Sequence, residues 1–261
     1  MNAFFIFFLF FVGLMPSWAY VLGPRAHMVS TGALEARPTT MLGKRDVGVP
    51  NWRRGDPVVT FINTSQKDRA YIVVRGAESP STAFATCLAP CILVPAGETV
   101  RFFPGRGFVG AITATGSRHE LNFLTSAGEC WYDISMEYGM TRETLGPSDH
   151  RLQADGRSSI NGEPDLLGKA TAAWRKTPPG TQAALLATGY LTGAVGGDLT
   201  AVKMDRNAPT LVRDWYQLDA GFTAYMVPGS ISGQHHLSEA GKQADTVTSH
   251  VLTNEMTITV Y

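Results

Sequence analysis

The sequence predicts a mainly β protein: an antiparallel β-sandwich with a few short helical segments in its C-terminal half. Three observations predict it. From residue 57 onward apolar residues come in runs of roughly four to eight, separated by turn formers, with no helix-length periodic stretch between the first six runs. Glycine (27) and proline (15) are placed at the breaks, where they preset turn dihedrals. Hydrophobic residues make up 44%, and 22 basic residues balance 22 acidic ones, which fits a packed core and excludes a disordered chain. The same balance gives no basic excess for neutralising phosphates or holding an anionic membrane, so neither nucleic acid nor a membrane surface is expected as partner.

Residues 1–19 read as a signal peptide. Ala3 to Met15 is almost continuously apolar, and Ser17 and Ala19 satisfy the small-x-small pattern for cleavage before Tyr20. The apolar run is roughly 13 residues, short of the ~20 needed to span a bilayer. Extracellular secretion follows, and no later segment has spanning length. Residues 20–45 have little periodicity and contain Gly23-Pro24 and Arg37-Pro38. They read as a propeptide or leader ending at Lys44-Arg45, a dibasic pair of the kind kexin-type proteases cut. The body is then 46–261.

Residues 57–63 form the first predicted strand, 65–68 a polar turn and 70–75 the second strand. Residues 98–103 are the third. Pro104-Gly105-Arg106-Gly107 then turns the chain into a hairpin partner at 108–115. Residues 119–125 and 129–136 are two more strands around Ser126-Ala127-Gly128. Residues 149–164 read as a loop. Residues 166–176 form a short helix stopped by Pro178-Pro179-Gly180, and Thr181 caps a second helical stretch to Ala187. Residues 198–204, 215–218, 221–227 and 256–261 read as strands. The last alternates as Met256-Thr257-Ile258-Thr259-Val260-Tyr261, so residues 150–261 are expected to complete the same sheets.

Three cysteines, Cys87, Cys91 and Cys130, allow one disulfide and a leftover thiol. Cys87–Cys91 would pin a tight loop, whereas either pairing with Cys130 would close a much larger one. Spacing alone does not choose among the three. Asn63-Thr64-Ser65 is an N-glycosylation sequon at a strand end expected to face solvent.

Cys130-Trp131-Tyr132-Asp133-Ile134-Ser135-Met136-Glu137-Tyr138-Gly139-Met140 resembles the strand and turn of thaumatin-like proteins. It is most similar to that family's small, cysteine-poor secreted fungal relatives, the Bys1-like or antigenic thaumatin-like proteins. The segment Leu93-Val94-Pro95-Ala96-Gly97-Glu98-Thr99-Val100 is similar to the family's approach to its next strand. The resemblance spans roughly residues 56–149. It implies a β-sandwich with an acidic cleft built on Asp133 and on an acidic residue just before the motif glycine. That position holds Tyr138 here, with Glu137 one place earlier, and a one-residue offset on a strand reverses the face. Three cysteines also depart from the disulfide-dense plant members.

Candidate chemistry is sparse. Asp133 and Glu137, with Glu143 and Asp149 in an expected turn at 141–150, are the carboxylates available for glycoside hydrolysis. The same groups serve equally as a binding patch. Trp131, Tyr132, Tyr138 and Trp215 offer aromatic faces for sugars, although alternate aromatics on strands are more often core. His235-His236 alone makes no metal site, and Gly229-Ser230-Ile231-Ser232-Gly233 does not match a nucleophile elbow. A copper-dependent oxygenase would need an N-terminal histidine, which neither Tyr20 nor Asp46 supplies. No metal and no cofactor is expected. The sequence thus predicts a secreted, non-enzymatic binding protein acting at the cell wall or host interface, possessing Asp133, Glu137, Tyr138 and Trp131 as ligand contacts. A wall polysaccharide or a host protein would be the partner, as for a virulence-type effector. The rival readings are a β-glucanase-like hydrolase using Asp133 and Glu137, and a secreted toxin active through residues 150–261.

Overall fold

The computed structural model describes residues 45–48, 53–76, 90–124, 128–148, 160–226 and 249–261. Residues 1–44, Ala19 and Lys44 among them, lie outside the described residues, as do Cys87, Asp149 and His235-His236.

Fourteen strands and three short helices are described. Sheet 1 runs in the order β1-β5-β2-β14-β9-β10: β1 (Arg45–Gly48), β5 (Thr99–Phe103), β2 (Val58–Asn63), β14 (Glu255–Val260), β9 (Glu143–Pro147) and β10 (Asn161–Gly162). Sheet 2 runs β13-β8-β7-β6-β3-β4: β13 (Ser249–Val251), β8 (Glu129–Ser135), β7 (Ser117–Leu124), β6 (Val109–Ala114), β3 (Arg69–Arg75) and β4 (Ile92–Val94). Sheet 2 is antiparallel throughout, whereas β1 lies parallel to β5 and β2 parallel to β14 in sheet 1. The protein is therefore mainly β, with mixed as well as antiparallel pairing.

Alternation decides which face goes in. On β14, Met256, Ile258 and Val260 are buried while the residues between them are partly or fully exposed. On β8, Cys130, Tyr132 and Ile134 enter the core. The two sheets meet where Phe61 of β2 packs 4.7 Å, centroid to centroid, from Tyr71 of β3. Phe102 on β5 meets Phe108 edge-on at 6.4 Å. β14 sits inside sheet 1 between β2 and β9, so the last strand of the chain is a central one.

Between β10 and β13 lies a small helical layer with its own hairpin, β11 (Leu191–Gly193) and β12 (Leu199–Val202). α1 (Leu166–Trp174) is capped by Asp165, whose carboxylate accepts from Gly168 N. It buries Leu166, Ala170, Ala173 and Trp174, one helical stripe. α2 (Pro179–Ala187) starts on Pro179 in the first-turn position where a missing N–H costs nothing, so Thr181 is an interior residue and not the cap. α3 (Thr210–Asp214) continues into a π-helical turn, Trp215–Asp219. Residues 215–218 are thus helical, not a strand: Trp215 and Tyr216 are both buried as neighbours, which a half-exposed strand does not do. Trp174 and Trp215 pack edge-on at 6.1 Å, and both belong to the one core cluster that includes the sandwich. Of the strand expected at 221–227, the described part makes a single bridge, Tyr225 to Ser135.

One other expectation changes. Residues 143–147 form a strand buried along its whole length, not a cleft-lining turn. Arg45, the last residue of the expected leader, is the first of β1, and the next residue, Asp46, makes two 2.9 Å hydrogen bonds with the Arg101 guanidinium.

Candidate functional site

The outward face of β8 and β7 carries the charged groups. Alternation turns Trp131, Asp133 and Ser135 of β8 away from the core, and Arg118, Glu120 and Asn122 of β7 beside them. Register sets Glu120 opposite Asp133 and Arg118 opposite Ser135. β8 then ends in a turn closed by Gly139 N donating to Met136 O (3.0 Å). Glu137 sits in that turn, four residues beyond Asp133.

Tyr225 joins these groups from the far side. Its backbone brackets the end of β8: Tyr225 N donates to Ile134 O (2.6 Å), and Met136 N donates to Tyr225 O (2.8 Å). This lays Tyr225 laterally beside Ser135. Burial pushes the Tyr225 phenol up, and the charges of Glu137, Asp133 and Glu120 push it further, against Arg213 of α3. The structure therefore brings Asp133 and Glu137 to one place, despite the offset in the motif, and adds Glu120 as a third carboxylate.

Cations frame the carboxylates. Arg118 Nε lies 2.8 Å from Glu120 Oε1. Tyr138, 44% exposed, has the Arg118 guanidinium 5.8 Å and the Arg206 guanidinium 5.9 Å from its ring centroid. Its ring is thus engaged by two arginines rather than left open for stacking. Trp131 is half-buried on the same face, opposite Asn122 in register. Tyr132 and Trp215 are core residues. Arg118 and Glu120 were legible as polar positions of a strand. Tyr225, Arg206 and Arg213 had no local signal, because only tertiary folding brings the helical layer to β8.

Glu143 has a different role. Its side chain is fully buried, and its carboxylate accepts from three residues and lies beside a fourth, His119. Oε1 takes Arg69 Nη2 (2.7 Å), Arg69 Nε (3.2 Å) and Tyr71 OH (3.1 Å). Oε2 takes Ser117 Oγ (2.8 Å) and faces His119 Nε2 (2.8 Å). Burial alone would raise its pKa, but His119 and Arg69 outweigh that and hold it at about 2. One carboxylate so ties β9 of sheet 1 to β3 and β7 of sheet 2. It has no route to a substrate.

Asn63 does not face solvent. It is 1% exposed, and Nδ2 donates to Val94 O (2.9 Å) and Lys67 O (2.8 Å). Oδ1 accepts from Ser65 N (3.0 Å) and Ser65 Oγ (2.7 Å). The sequon is spent on an Asx-type turn, and the nitrogen a glycan would need is occupied. Cys130 is a free, fully buried thiol whose pKa burial pushes up, so it is inert. Among the described residues no cluster of three or more His, Cys, Asp or Glu is placed to hold a metal, and no helix is long and apolar enough to cross a membrane.

No family model matches the chain, and no curated protein matches it. Among solved structures it is similar to the protein elicitor MoHrip2 from Magnaporthe oryzae, at 19% identity, with a TM-score of 0.28. The match covers 42% of this chain and 79% of that one.

Proposed function

We propose that this is a secreted, non-enzymatic binding protein that acts at a cell wall or host interface through the outward face of β8, in the manner of an effector. One observation carries the reading: Asp133, Glu137 and Glu120 gather around Tyr225, with Arg118, Arg206 and Tyr138 at the rim. Carboxylates accept hydrogen bonds from sugar hydroxyls, and guanidinium groups donate to ring and hydroxyl oxygens. A mixed array of this kind suits a polyhydroxyl surface better than an apolar one. Secretion rests on the apolar run and the cleavage pattern of residues 1–19. The test is retention of the secreted protein on insoluble β-glucan, chitin and cellulose, with Asp133→Asn and Glu137→Gln as the variants that should weaken it.

A glycan hydrolase is the second reading, favoured by the shared location of Asp133 and Glu137 beside Tyr225. It requires one carboxyl to give a proton to the leaving oxygen while the other acts as nucleophile or base. Reducing-end release from β-1,3-glucan, abolished in Asp133→Asn, would establish it.

A further inference from the structure

We infer that the outward face of β8 selects an amino sugar: a glycan unit whose protonated primary amine is held by Asp133 and Glu137 with Ser135 Oγ beneath. The inference rests on the wall-binding reading and names the ligand chemistry of that same face.

Ser135 is the observation that points to a ligand. It is 1% exposed, and its Oγ has no hydrogen-bond partner. Its side chain lies on the strand face shared with Asp133, opposite Arg118 in register and laterally beside Tyr225. A buried hydroxyl without a partner forfeits about 1–3 kcal/mol, a cost that proteins seldom leave in place. A donor entering between Glu137 and Tyr225, both half-buried and so reachable from solvent, would recover it.

Charge decides between an amine and a neutral hydroxyl. Around the Tyr225 phenol Asp133 and Glu137 act against one arginine, Arg213, once Glu120 is set against its partner Arg118. Arg118 is already engaged by Glu120, and Arg206 stands further out at the Tyr138 ring. The potential at the floor is therefore negative. An ammonium brings three N–H donors that diverge toward two carboxylates and one hydroxyl. An N-acetyl group in its place removes the charge and brings a carbonyl oxygen toward the carboxylates. A free-amine sugar should win over its acetylated form for both reasons.

The test is calorimetric titration of the full secreted chain with three hexamers: glucosamine, N-acetylglucosamine and β-1,3-linked glucose. The free-amine hexamer should bind about tenfold or more tightly than the other two, the effect of one charge-assisted contact, and weaken as salt rises. Glu137→Gln and Ser135→Ala should each reduce that preference. Glu120→Gln, a partly exposed position, serves if Asp133→Asn fails to fold, with circular dichroism reporting the fold. Equal binding of the acetylated or neutral hexamer overturns the inference and leaves wall binding standing. No hexamer binding alongside retention on an insoluble polymer does the same. Hexalysine binding as tightly as the glucosamine hexamer, with the same loss in Glu137→Gln, overturns it in favour of a basic peptide.

Discussion

His119 Nε2 and Glu143 Oε2 stand 2.8 Å apart with neither side chain exposed. Nδ1 of the same ring lies 3.0 Å from Ile112 O, so each ring nitrogen faces an acceptor. With Arg69, Tyr71 and Ser117 on the same carboxylate, this is a polar link between the two sheets.

Acid should loosen that link. His119 and Arg69 hold the Glu143 carboxyl at about 2 in the fold, well below the ordinary 4.5. A depressed carboxyl stabilises the fold fully above the unfolded value, and the contribution is lost as pH falls from there through about 2. Chemical denaturation between pH 6 and pH 2 should show stability dropping across that window. In Glu143→Gln the drop should be shallower.

Breaking the network outright should cost more. Glu143→Ala leaves Arg69 and His119 without their shared partner, and removal of one side of a buried pair typically costs about 3–5 kcal/mol. Urea denaturation at neutral pH should register a loss of this size. A change under about 1 kcal/mol would mean water takes over the role of the carboxylate.

Asn63 should carry no glycan. Protein recovered from medium should show no mass shift on treatment with an N-glycosidase at Asn63. Asn63→Ala should cost about 1–3 kcal/mol through the loss of its buried bond to the Val94 carbonyl and of the turn it closes with Ser65.

Gly139 should resist substitution. Its φ is +134°, and an added Cβ would lie 2.6 Å from Gly116 Cα, backbone that cannot step aside. Gly139→Ala should lower the melting temperature. It should also weaken ligand retention, because this turn carries Glu137 and Tyr138.

Residues Gly43–Tyr261 form one compact unit, and Trp174 and Trp215 of the helical layer belong to the same core cluster as Phe61 and Ile134. Trp174→Ala should therefore cost about 3–5 kcal/mol in a single unfolding transition. Two separated calorimetric transitions would assign the helical layer its own stability.

The sequence made the hairpin strands of sheet 2 legible because their polar and apolar residues alternate and glycine marks the turns. β9 was hidden: Glu143-Thr144-Leu145-Gly146-Pro147 has no alternation, being buried on both faces, and its glutamate and proline look like a turn. Trp215 and Tyr216 resembled a strand because a short aromatic run carries no helical period, and the π-helical turn that buries both is set by packing on Trp174. Asp133 and Glu137 were readable from their motif. Tyr225, roughly ninety residues away in sequence, was not, since nothing local to it signals β8 as its neighbour. The burial of Asn63 was illegible for a related reason. A sequon reports side-chain chemistry but not which face of the strand end is covered.

The central claim is that Asp133 and Glu137 form a binding face rather than a catalytic pair. The most direct measurement exposes wild type, Asp133→Asn and Glu137→Gln to insoluble β-glucan, chitin and cellulose, assaying bound protein and released reducing ends together. Retention of the wild type on at least one polymer, loss of retention in both variants and no sugar release is the predicted result. Reducing ends released by the wild type and absent with Asp133→Asn would contradict it and make the protein a hydrolase.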